Sequence, residues 1–222
     1  MTFPDAFKGI KKVFTAQILT LIGTACVILG SIVAAIAAVS ALSSSSSGDI
    51  IAYGAGAGVL AAAGLVIPIV AYIINLVGLH QAGKDDESLR NAFIVSIFVL
   101  IIEIVSAILN AIFSNANSVT GNVAEVIASI CQIIVMVLVI TGICNLADKL
   151  KRDDVDSSGR NILIMVIVMY GLSIVSKIIL LISGNGSAGS VLYIVLTLAS
   201  GIFSIITYIF YLVFLGKAKN ML

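Results

Sequence analysis

The chain has 222 residues, of which 60% are hydrophobic and 10% are charged, and its formal net charge at pH 7 is +1. Soluble domains contain about 45–50% apolar and about 25% charged residues, so this composition excludes a water-soluble globular protein. The balanced charge gives no broad basic surface for nucleic acid, which leaves the lipid bilayer as the expected surroundings.

Six apolar stretches follow one another along the chain, separated by short polar segments. Each exceeds the ~20 residues that cross a ~30 Å hydrocarbon layer as a helix. Barrel strands would alternate apolar and polar residues, and these stretches do not. The sequence therefore predicts an all-α fold, a single membrane domain formed by a bundle of six transmembrane helices. The predicted spans cover residues 13–42, 51–79, 92–113, 123–146, 162–182 and 191–215.

Basic residues are distributed unevenly between the two sides of this bundle. Eleven of the twelve lie before span one, between spans two and three, between spans four and five, or after span six, and the three alternate loops contain none. The positive-inside rule predicts that both termini are cytoplasmic, in a plasma membrane that is most simply the bacterial cytoplasmic membrane. We call the side that carries these residues the basic end of the bundle.

Two loops at the basic end resemble each other. Each loop follows a span that has a glycine near its end. Each loop then contains a pair of aspartates and an Arg-Asn pair before the next span. The matching residues are Gly78, Asp85-Asp86, Ser88 and Arg90-Asn91 in one loop, and Gly142, Asp153-Asp154, Ser158 and Arg160-Asn161 in the other. This pattern, weakly echoed at Leu215-Gly216-Lys217, predicts three repeated two-helix hairpins. The alternative is that similar loops meet similar helix-capping needs, since acidic residues and serine suit a helix N-terminus.

Small residues occupy the first half of span two. Gly54 and Gly58 are four residues apart, and Gly64 follows in the same span. Glycine lets another helix approach closely, which is a main source of adhesion between helices in lipid. We expect these three glycines to pack against a neighbouring helix.

Span three carries a polar face formed by Ser96, Glu103, Ser106 and Asn110, at helical spacings of seven, three and four residues. Glu103 lies close to mid-membrane, where an ionised carboxylate costs at least ~2.5 kcal/mol. We expect it to be protonated, hydrated or paired. The candidate partner is Lys177 in span five, which differs from it in depth by roughly 6 Å. Alternatively, Lys177 extends to the outer headgroups.

Span six carries hydroxyl groups at helical spacing, among them Ser200, Ser204 and Thr207. Such hydroxyls often bond backbone carbonyls or join neighbouring helices. If spans three and six face each other, these groups and Glu103 line a polar intramembrane site.

The sequence contains no recognisable constellation for catalysis or metal binding. The single histidine, His80, has no spaced cysteine or carboxylate cluster beside it, and the three cysteines fall inside apolar stretches. Neither a phosphate-binding loop nor a nucleophile elbow is present. We therefore expect no enzyme activity, no cofactor and no metal.

Two functions remain open. In the first, the protein transports a small solute or ion, or is a membrane-embedded substrate-binding subunit, and Glu103 with the polar stripes forms its site. In the second, it is an interaction or regulatory subunit that assembles with a membrane or cytoplasmic protein partner and transports nothing. The ionisable group at mid-membrane favours the first.

Overall fold

The computed structural model describes residues 3–43, 47–112, 118–183 and 187–222. These residues form six α-helices, and no strand occurs among them. All six helices are long and apolar enough to cross a membrane. The predicted all-α class with six spans is confirmed, whereas the repetition of hairpins stays a prediction. The helices are α1 (Pro4–Ser43), α2 (Ser47–Ala82), α3 (Glu87–Ile112), α4 (Ser118–Lys149), α5 (Asp153–Ser183) and α6 (Ser187–Met221).

At the basic end α4, α5 and α6 extend past their apolar stretches, and their additional terminal turns contain charged residues. Three aspartates, among them Asp153 and Asp154, lie in the first turn of α5, where unpaired backbone amides favour anions. Lys149 and Lys219 lie in the last turns of α4 and α6, where the helix dipole favours cations. The charged residues thus support the helix ends to which the loops connect.

The chain divides into two compact units, one formed by Lys11–Gly78 and the other by Met1–Ile10 with Leu79–Leu222. In the smaller unit α1 and α2 lie side by side. A Cβ placed on Gly23 would lie 2.9 Å from Pro68 Cδ, and one placed on Gly64 would lie 3.3 Å from the backbone nitrogen of Val27. Val27 follows Gly23 by four residues and Gly64 precedes Pro68 by four, so the two helices run antiparallel.

In the larger unit α3 packs on α4, α4 on α5 and α5 on α6, with a smaller contact between α4 and α6. Its buried side chains concentrate towards the basic end. The largest fully buried side chains are Tyr211, Phe214, Ile10, Leu79, Leu89, Ile140, Ile143, Leu146, Leu215, Val155, Val166 and Thr207. Further along the helices large apolar side chains are exposed, for example Phe98 at 58% and Ile205 at 65%. Such side chains suit contact with lipid.

Candidate functional site

Glu103 on α3 is in contact with a polar residue of α4. Gln132 Nε2 donates a hydrogen bond to Glu103 Oε1 over 3.4 Å, and both side chains are exposed. Sequence reasoning did not identify Gln132 as this partner, although a polar residue at matching depth in the next helix was the available signal. The side chains of Lys177 and Asn110 lie outside the described residues. The pairing of Glu103 with Lys177 therefore stays a prediction.

The other described residues of the α3 stripe lie in different surroundings. Ser96 is buried, with 3% of its surface exposed, and its hydroxyl donates to the carbonyl of Ala92 over 2.8 Å. Ser106 is half-buried. The stripe is therefore buried near the basic end and becomes exposed at Glu103.

On α6, Thr207 is the most buried member of the hydroxyl stripe, at 1% exposure, and its Oγ1 has no hydrogen-bond partner in the described part of the chain. Ser200 and Ser204 are half-buried. The described helix contacts join α6 to α5 and α4, and α3 to α4, whereas none joins α3 to α6. The two predicted stripes are therefore on helices that do not contact each other in the described part of the chain.

The three predicted packing glycines also differ from one another. Gly64 is buried against Val27, whereas a Cβ on Gly58 would meet nothing within 4 Å. The surroundings of Gly54 lie outside the described residues. Gly23, which the sequence reasoning did not single out, closes against the ring of Pro68 in the same helix pair.

At the basic end, polar contacts join the start of one helix to the end of its neighbour. Asp85 Oδ2 accepts a hydrogen bond from Ala6 N over 2.7 Å, which caps the first turn of α1. Asp86 Oδ1 accepts from the backbone nitrogens of Ser88 at 2.9 Å and Leu89 at 3.3 Å, which caps α3. Asp86 Oδ2 also lies 4.0 Å from Lys149 Nζ at the end of α4.

A polar contact also joins the start of α5 to the end of α6. Lys217 Nζ, near the end of α6, donates to Ser158 Oγ in the first turns of α5 over 3.2 Å. In the preceding loop the guanidinium of Arg152 binds both carboxylate oxygens of Asp154, at 3.0 and 3.2 Å. The hydrogen bonds that Arg152 donates to this carboxylate raise the pKa of Arg152. Both partners are exposed, so we expect this pair to add little to stability.

A cleft of about 240 Å³ opens between α4 and α5 at the basic end. Its lining includes three charged residues, Asp148 of α4 and Asp156 and Arg160 of α5. Arg160 Nε donates to Asp156 Oδ2 over 2.9 Å. Asp148 takes part in no ion pair among the described residues. The cleft therefore combines one guanidinium with two carboxylates, one of which has no cationic partner in that part of the chain.

No family model matches the chain, and neither a search of curated proteins nor a search of solved structures finds a match. The six apolar helices define the class: a multi-pass membrane protein. Among the described residues, no group of three or more His, Cys, Asp or Glu side chains is placed to hold a metal ion. The candidate functional features of the described residues are therefore the Glu103–Gln132 pair, the α6 hydroxyls and the cleft.

Proposed function

We propose that the protein is a membrane interaction subunit that assembles with another membrane-embedded chain through the face of α3 and α4 that carries Glu103 and Gln132. The supporting observation is that both polar side chains are exposed while bonded to each other. Glu103 lies eleven residues after the start of the apolar stretch at residue 92. At 1.5 Å per residue this is about 17 Å into a hydrocarbon layer of about 30 Å.

An exposed polar pair at this depth is unfavourable in contact with lipid. An ionised carboxylate at the bilayer centre costs at least ~2.5 kcal/mol, and a neutral one still lacks partners for most of its hydrogen-bonding atoms. The single bond from Gln132 satisfies one acceptor of Glu103 and one donor of the amide. Covering the pair with a helix that offers further polar atoms removes this cost, because interhelical hydrogen bonds then replace contact with hydrocarbon.

The occupant that fits this face best is a second copy of the same chain. Copies inserted in one orientation and related by a two-fold axis along the membrane normal place every residue at the depth of its own counterpart. An axis beside α3 and α4 therefore brings two Glu103–Gln132 pairs to one level. There the unused amide hydrogen and oxygen of one pair complement the carboxyl group of the other. A different protein would need a polar group of its own at that depth.

Disulfide crosslinking between the α3 helices of two copies tests this assignment in membranes. In a protein whose three cysteines are replaced by alanine, Ala107→Cys lies one turn from Glu103 on the same face and is exposed. Ile97→Cys, the matched control, is exposed on the same helix but is separated from Glu103 by about 120° around the helix axis. We expect covalent dimers with Ala107→Cys and few with Ile97→Cys. Equal crosslinking of both variants, or of neither, would contradict the proposed face.

A second candidate function, binding of a small solute for transport, is supported by Thr207. A buried hydroxyl that has no partner among the described residues can use its donor and acceptor to bind a polar atom of a solute. Under this function Glu103→Gln and Thr207→Val would each abolish a flux in proteoliposomes. Under the assembly function Glu103→Gln keeps the hydrogen-bonding capacity of the site and therefore preserves association. The Glu103→Gln variant thus separates the two candidates.

A further inference from the structure

The cleft between α4 and α5 plays no part in the proposed assembly through α3 and α4, and its charged groups lie together at the basic end. On α5, Asp156 lies four residues before Arg160, which places the Cα of Arg160 about 6 Å deeper towards the hydrocarbon layer. The Arg160 guanidinium extends back from there and bonds to Asp156 over 2.9 Å, so the cationic group and this carboxylate lie side by side. On α4, Asp148 lies beyond the apolar stretch that ends near residue 146.

At the position between α2 and α3 that corresponds to the cleft, two aromatic rings are in contact. When the two similar loops are aligned, His80 corresponds to Cys144 and Phe93 to Leu163. The rings of His80 and Phe93 pack together with their centroids 5.0 Å apart. In the cleft, a cysteine and a leucine stand in place of these two rings. The cleft between α4 and α5 is therefore lined by smaller side chains than those at the corresponding position.

The partners of Arg160 also set the cleft apart. Its counterpart Arg90 pairs with Glu87 at 3.7 Å on the surface of α3. The Arg160 side chain is likewise exposed, at 77%, but it pairs with Asp156 and lines the cleft together with Asp148, which has no ion pair in the described part of the protein. The site thus offers guanidinium donors to an anion and carboxylate acceptors to a cation.

We propose that this cleft binds the headgroup of an aminophospholipid, with its phosphate at Arg160 and its primary ammonium at Asp148 and Asp156. The guanidinium and the two carboxylates line one cleft at the basic end, so a single headgroup that carries both a phosphate and an ammonium can contact both kinds of group. Arginine binds phosphate oxygens through paired N–H donors, and a primary ammonium has three donors for carboxylates. Below the cleft, Ile164 and Ile167 of α5 are 61% and 49% exposed and offer an apolar surface to the acyl chains.

This assignment distinguishes between phospholipids of similar size. Phosphatidylcholine carries a phosphate, but its methylated ammonium has no N–H to donate to a carboxylate. Phosphatidylglycerol carries a phosphate and no cation, so it leaves Asp148 unpaired. We therefore expect phosphatidylethanolamine to bind more tightly than either of them.

Binding is measured on the full-length purified protein in detergent, by native mass spectrometry with each of the three lipids and by the shift of its unfolding midpoint. The test variants are Asp148→Asn and Arg160→Gln, which remove charges, and Leu163→Phe, which fills the cleft with the residue found at its counterpart. Arg90→Gln is the matched control. We expect phosphatidylethanolamine to bind at least about tenfold more tightly than the other lipids, and each test variant to weaken it by about tenfold, the effect of one charged hydrogen bond.

Three results would overturn the assignment. The first is equal binding of phosphatidylethanolamine and phosphatidylcholine, which would remove the role of the ammonium. The second is an unchanged preference in Leu163→Phe and Asp148→Asn, provided that their unfolding midpoints without lipid equal that of the unaltered protein. The third is equal stabilisation by glycerophosphoethanolamine, which has no acyl chains and would identify a soluble ligand instead of a lipid.

Discussion

Glu103 and Gln132 are hydrogen-bonded to each other, and each lies the same number of residues from a second contact between α3 and α4. Glu103 is seventeen residues after Asp86, and Gln132 is seventeen residues before Lys149, the residue that pairs with Asp86. The α3–α4 hairpin therefore runs antiparallel without slippage over both contacts. This register places the one acidic residue of the span beside an amide, on an exposed face.

Replacement of Asp86 tests how much the polar contacts at the basic end contribute to stability. Asp86→Ala removes a helix cap that serves two backbone nitrogens and a carboxylate that is 5% exposed beside Lys149. We expect the free energy of unfolding, measured by titration from mild detergent into sodium dodecyl sulfate, to fall by about 1–2 kcal/mol. Asp86→Asn keeps a capping oxygen and should lose less.

The matched control for this cap is the neighbouring residue. The Glu87 side chain is 80% exposed, and it forms an ion pair with Arg90 at 3.7 Å. Glu87→Ala should change the unfolding free energy by less than about 0.5 kcal/mol. An equal loss in both variants would mean that general charge at this loop, and not the cap, provides the stability.

Two glycines of α2 are expected to respond oppositely to alanine. A Cβ on Gly64 would lie 3.3 Å from the Val27 backbone nitrogen, whereas a Cβ on Gly58 would meet nothing within 4 Å. Gly64→Ala should destabilise the protein by about 1–3 kcal/mol, because α1 must move away. Gly58→Ala should be neutral or stabilise by up to about 1 kcal/mol through helix propensity. The same unfolding titration measures both, and equal destabilisation would contradict the close approach of α1 and α2.

The six helices could be predicted from the sequence because a chain in lipid must satisfy its backbone hydrogen bonds internally, and long apolar runs do so as helices. The aspartates and serines at the basic end also indicated helix starts, since their side chains cap free amides locally. Both inferences depend on residues close together in the chain, so no knowledge of helix packing was needed.

The site residues depended on packing and were less predictable. Gln132 meets Glu103 only because of the register of the α3–α4 hairpin, which the loop between these helices does not reveal. The exposure of Glu103 follows from the position of the buried core towards the basic end, a property of the assembled unit. The cleft lies between two helices and is lined by Cys144 and Leu163, which become neighbours only once α4 and α5 pack.

The predicted orientation can be tested by labelling cysteines from one side of the membrane. In a cysteine-free protein, Lys84→Cys and Lys217→Cys lie at the basic end, whereas Ser45→Cys lies in an alternate loop. An impermeant thiol reagent applied to intact cells should label Ser45→Cys and should label the other two only after the cells are opened, because basic loops stay in the cytoplasm. Labelling of Lys217→Cys in intact cells would reverse the topology.

The most direct test of the proposed assembly is the dimer fraction of the protein in lipid vesicles, measured by single-molecule photobleaching over a range of protein-to-lipid ratios. Two reciprocal hydrogen bonds of about 1 kcal/mol each correspond to about 30-fold in the dissociation constant. We therefore expect Glu103→Leu with Gln132→Leu to weaken dimers about 30-fold. Glu103→Gln, and the control Thr24→Leu on an exposed position of α1, should leave them unchanged. A monomeric unaltered protein, or a double variant that dimerises equally well, would contradict the account.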